Sequence, residues 1–68
     1  MTTKEILSLA RETLYHEKDN LYQLQRVAIK NNYMKVVDHC QKRIEEINIK
    51  IGEINTMEKA QDIWEKIK

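Results

Sequence analysis

Between Tyr33 and Ile54 the residues Tyr33, Val37, Cys40, Ile44, Ile47, Ile51 and Ile54 recur at spacings of 4, 3, 4, 3, 4 and 3. A helix of 3.6 residues per turn brings such positions onto one face, whereas a strand of period 2 would scatter them over both. Five of the seven are β-branched. Isoleucine at both seam positions shifts parallel coiled coils from two strands towards three or four. The stripe therefore predicts a helix built to contact other helices, with room for more than one neighbour.

Composition extends helix to the rest of the chain. There is no proline and one glycine, Gly52. Those residues are the strongest breakers of regular structure, and Glu, Lys, Gln, Leu and Ile are good or fair helix formers. Charged residues make up 34% of the chain with the signs mixed and a net charge of +1, the pattern of a solvated helix surface. A chain of 68 residues forms one domain at most. A domain of that size buries only about 60% of the surface its unfolded chain exposes, and small domains compensate with disulfides, metals, oligomerisation or very regular packing. The single cysteine, Cys40, excludes an internal disulfide. Regular packing and self-association remain. No apolar run approaches the roughly 18 residues that span a membrane, and the first residues lack an apolar signal core. A reduced, cytoplasmic setting is expected.

Three periodic segments are predicted in a single domain over residues 1–68. The first helix covers about 3–30, with Leu7, Ala10, Leu14, Leu21, Leu24 and Ala28 as its apolar stripe and Glu17 as a gap. Lys18-Asp19-Asn20 is its weak point, yet the phase holds from Leu14 to Leu21 to Ala28, which favours one helix. Asn31-Asn32 forms a turn, because asparagine tolerates the left-handed conformation that ends helices. The second helix covers about 33–54. Met57, Ala60, Trp64 and Ile67 then start a new phase, and Asn55-Thr56-Met57-Glu58 resembles a capping box. With Gly52 nearby, a break is expected there and a C-terminal helix over about 56–67.

A tight turn makes the first two segments antiparallel neighbours, with facing residue numbers adding to about 63. Cys40 then faces Leu21 and Leu24, Ile47 lies near Leu14, and Ile51 and Ile54 lie near Ala10 and Leu7. Residues from about Gln61 onward would overhang. The fold expected is all-α: an antiparallel helical hairpin with a C-terminal helical extension. It would form a three-helix bundle or, from two chains, a four-helix-type bundle. The homodimer is the favoured form.

Little in the chain points to catalysis. Cys40 and His39 are adjacent, and adjacent helical positions point about 100° apart. Cys40 belongs to the seam, where it acts as a small hydrophobe. Glu12 and His16 share a face, but two ligands do not make a zinc site. Glu45, Glu46, Glu53, Glu58 and Glu65 lie off the apolar seam, and there is no glycine-rich phosphate loop. No catalytic residue, cofactor or metal is expected.

Two surfaces are candidates for function. Met57, Ala60, Ile63, Trp64 and Ile67 form an apolar C-terminal patch, of a composition common at protein interfaces. From Arg26 to Arg43 there are five basic residues, Arg26, Lys30, Lys35, Lys42 and Arg43, against one acidic residue, Asp38, whereas the remainder carries seven basic and ten acidic. The turn end is thus net positive. With Tyr22, Tyr33 and His39 close by, it offers phosphate contacts and stacking surfaces. The leading expectation is a small non-enzymatic regulator, adaptor or inhibitor that binds protein, either a second copy or another chain, through a helical surface. A nucleic-acid-binding regulator using the basic end is the alternative.

Overall fold

The computed structural model describes residues 2–67. Two helices, α1 (Thr3–Lys30) and α2 (Met34–Ile67), account for nearly all of them, with no strand among the described residues. The Thr2 hydroxyl accepts from the Glu5 N–H at 3.2 Å, satisfying one of the free donors of the first turn of α1. α1 continues without interruption through Lys18-Asp19-Asn20, as the unbroken phase requires.

The helices are joined where asparagine was expected to join them. Asn32 adopts φ 61°. The Tyr33 N–H donates to the Ala28 carbonyl at 2.9 Å and the Asn32 N–H to Ile29 at 3.2 Å, the paired bonds that close a helix around a left-handed residue. The Asn31 side chain adds a bond from Nδ2 to the Val27 carbonyl at 2.9 Å.

α1 and α2 pack against each other, and their cross-helix pairs run in opposite order along the chain. Arg43 meets Glu17, Arg11 meets Asn55 and Glu58, and Lys4 meets Asp62. The core is the predicted seam from Cys40 onward, whereas Tyr33, its expected first member, precedes α2 and is exposed, and Val37 is half-buried. Cys40, Ile44, Ile47, Ile51 and Ile54 are buried, with Cys40 and Ile47 at 0% exposure, and only Ala28 of α1 joins them.

The α1 stripe differs from expectation. Ala10 is exposed and Leu24 is 49% exposed, so neither faces Cys40 or Ile51 as a core partner. Besides Glu17, which reaches Arg43 at the edge, the residues of α1 turned inward are Leu7, Arg11, Leu14, Lys18, Leu21, Gln25 and Ala28, alternating apolar and polar at spacings of 4 and 3. Long polar side chains cover apolar surface with their stems while their heads reach partners at the edge. Arg11 Nη1 donates to Asn55 Oδ1 at 2.9 Å and to Glu58 Oε2 at 2.8 Å. Gln25 Nε2 donates to the Val37 carbonyl and to Gln41 Oε1. The isoleucine row is thereby enclosed by a single neighbour, although its composition called for several.

The expected break near Gly52 does not occur, and there is no separate helix over 56–67 to fold back as a third member of a bundle. Two physical reasons account for this. Arg11 holds both Asn55 and Glu58, the side chains that would have capped a new helix. The seam also keeps its phase beyond Ile54 through Glu58 and Gln61, which are half-buried and polar. Met57, Ala60, Trp64 and Ile67 belong to neighbouring rows of the same helix. Nor does the chain overhang from Gln61 onward, since Lys4 pairs with Asp62 and Thr3 and Leu7 lie beside Trp64.

The Cα positions span 55 × 18 × 10 Å, a slab one helix thick. It exposes 5518 Å², whereas a compact monomer of its 8.2 kDa mass exposes about 4,500 Å².

Candidate functional site

The C-terminal patch is positioned by the step of its apolar rows off the seam. A residue seven after another returns to almost the same side of a helix, so Met57 and Trp64 form one row and Ala60 and Ile67 the next. Both rows flank the buried isoleucines. Met57, Ala60 and Trp64 line a shallow groove with Gln61 of the same helix and with Thr3 and Leu7 of α1. Its walls are mainly aliphatic and aromatic carbon. Trp64 is 57% exposed and Ile67 74%. Ile63 is also exposed but lies outside the groove, on the row opposite the seam that includes Ile49. The structure thus brings together three of the five candidate residues of this patch. Thr3, Leu7 and Gln61 were not among the candidates. Leu7 was legible as a seam residue of α1, and only the register of the pair shows that it walls the groove.

The basic end is altered more. Arg43 Nε donates to Glu17 Oε1 at 2.8 Å, and Arg43 Nη1 to Glu46 Oε2 at 3.1 Å. The hydrogen bond that Arg43 donates to Glu17 raises the Arg43 pKa above its ordinary value, with Glu46 adding to the effect. Its charge is spent inside the helix pair. Arg26, Lys30, Lys35 and Lys42 form no ion pair among the described residues. Arg26 and Lys30 border a second groove with Val27 and Ile29. Tyr33 is exposed at the turn, whereas Tyr22 has the Lys18 ammonium 6.0 Å from its ring centroid.

The remaining chemistry-bearing groups are apart. Cys40 is a buried free thiol and His39 is exposed, so the two present themselves to different environments. His16 lies 3.8 Å from Glu12 on an open surface. No cluster of three or more His, Cys, Asp or Glu side chains suited to a metal occurs among the described residues. Among them, no helix is long and apolar enough to cross a membrane.

No protein-family model, curated protein or solved structure matches the chain.

Proposed function

We propose that this protein is a non-enzymatic interaction module, a small regulator, adaptor or inhibitor that binds protein through the groove at the terminal end of its helix pair. On this reading the pair is an antiparallel hairpin that completes a four-helix-type bundle with its partner. One observation carries the reading. The strongest apolar stripe of the chain is already enclosed by α1, yet Met57, Trp64 and Ile67 stand exposed on neighbouring rows. Exposed apolar side chains grouped on one end of a small protein mark an interaction site, and tryptophan is among the residues that dominate binding energy at interfaces.

The test is capture on immobilised protein, comparing the unmodified chain with Met57→Lys and Trp64→Ala and identifying bound proteins by mass spectrometry. A partner held by the unmodified chain and lost by both variants is expected, with far-ultraviolet circular dichroism unchanged. Identical capture by all three would rule out the groove.

Arg26, Lys30, Lys35 and Lys42, without ion-pair partners among the described residues, and exposed Tyr33 at the turn favour a second reading, a nucleic-acid-binding regulator. Binding through them would fall steeply with salt, by a slope of about 0.9 per phosphate engaged. A low-salt gel assay without any shift of DNA or RNA removes that reading.

A further inference from the structure

We propose that the occupant of the groove is a second copy of this chain, related by a two-fold axis perpendicular to the helices, so that the turn end of each copy covers the terminal end of the other. This rests on the interaction-surface reading above and names the partner.

The helix pair lacks a second layer. Stable domains bury the apolar faces of their elements between at least two layers, and this slab is one helix thick. Its surface exceeds that of a compact monomer of the same mass by about 1,000 Å², while a stable interface takes on the order of 800 Å² from each partner. A slab face 55 Å long and 18 Å wide is large enough to supply that.

The two flat faces of the slab also differ. One is edged by Gln25–Gln41, Arg11–Asn55 and Lys4–Asp62, a belt of polar contacts between the helices. The other carries the Glu17–Arg43 bridge near its middle. Followed seven residues at a time, the rows through Glu17 and Arg43 reach exposed Leu24 and Val36 at the turn end. In the other direction the Arg43 row passes exposed Lys50 and reaches Met57 and Trp64, while the Glu17 row reaches Ala10 and Thr3. This face is therefore polar in its centre and apolar at both ends. A two-fold axis through the centre lays each apolar end on the opposite one, which is the self-complementarity that an isologous dimer requires.

Charge favours the same pairing. With Arg43 held by Glu17 and Glu46, the turn end still carries Arg26, Lys30, Lys35 and Lys42 against Asp38 alone. Turn-to-terminus pairing sets the positive end of each copy beside the terminal end of the other, where residues 1–12 and 53–68 hold five basic side chains against six acidic. A dimer with both turns together sets positive on positive.

The geometry is tested by cross-linking. Val36→Cys and Ala60→Cys are made as separate proteins that keep Cys40, whose burial shields it from reagent. Each is treated alone and as a mixture with a short bis-maleimide. Sedimentation of the unmodified chain should give twice its 8.2 kDa mass, and the cross-linked dimer should form in the mixture and not in either protein alone. Cross-linking of each variant with itself, absent from the mixed pair, overturns the arrangement. A monomer throughout the micromolar range overturns self-pairing altogether. Neither result touches the broader reading, since a chain that stays monomeric still has the groove open to a different protein, which the capture experiment detects.

Discussion

Arg43 and Glu17, 26 residues apart in the chain, meet across the two helices at 2.8 Å. The contact sets the level at which α2 passes α1, and it withdraws an arginine from the basic end. Replacing Glu17 with Gln is expected to lower the thermal midpoint modestly without loss of helicity, and to do so less in high salt, which screens half-exposed pairs. Pairing Glu17→Gln with Arg43→Gln in a double-mutant cycle isolates the coupling. Strictly additive effects would show that the bridge does not hold the register.

Gly52 offers a cleaner test of the continuous helix. A Cβ built there meets nothing within 4 Å. Gly52→Ala is expected to stabilise the protein by about 1 kcal/mol, since glycine is that much poorer than alanine inside a helix. Chemical denaturation measures it. A neutral or destabilising outcome would mean that the helix does not run through residue 52.

Arg11 is the polar residue on which the α1 stripe depends most. Its side chain is 28% exposed and holds both Asn55 and Glu58. Arg11→Ala strands a half-buried carboxylate at a seam position, and a loss of about 1–2 kcal/mol is expected. A loss of only a few tenths in urea unfolding would show that the stem and its bonds contribute nothing to enclosing the isoleucines.

Lys4 carries the pH dependence of the terminal end. Its hydrogen bond to Asp62, and then the charge of that carboxylate, raise its pKa above the usual value. A raised lysine pKa stabilises the fold fully below the unfolded value of about 10.4, and that contribution fades as pH rises through the higher folded value. Titration by NMR should find Lys4 above the ordinary lysine value, and Asp62→Asn should bring it back towards that value. A Lys4 titration unchanged by Asp62→Asn would show that the two do not pair in solution.

The seam of α2 was legible because every position from Val37 to Ile54 is apolar and the spacing admits one helical face. The turn was legible because Asn32 takes a conformation few other residues accept. The partner stripe was not. Leu24 with Ala10, and Gln25 with Arg11, are alternative companions for the same leucine row. Counting apolar residues selects the first pair. The structure selects the second because Gln41, Asn55 and Glu58 on α2 receive the polar heads, which leaves Leu24 outside. The same counting mistook Met57, Ala60, Trp64 and Ile67 for a new phase, when Glu58 and Gln61 carry the old one. Half the candidate site was therefore visible in the sequence. Its α1 wall, Thr3 and Leu7, depends on a register that only the cross-helix bonds fix.

Trp64 is the chain's one tryptophan, so its fluorescence reports directly on whether the terminal groove is an interaction surface. In the separate chain it is 57% exposed, which corresponds to red-shifted emission open to iodide quenching. Raising the protein concentration should shift the emission to the blue and protect it from iodide in step with the doubling of mass, and Met57→Lys should abolish both changes. Emission that stays red and fully quenchable at every concentration, and in the presence of any captured partner, would contradict the assignment of this groove.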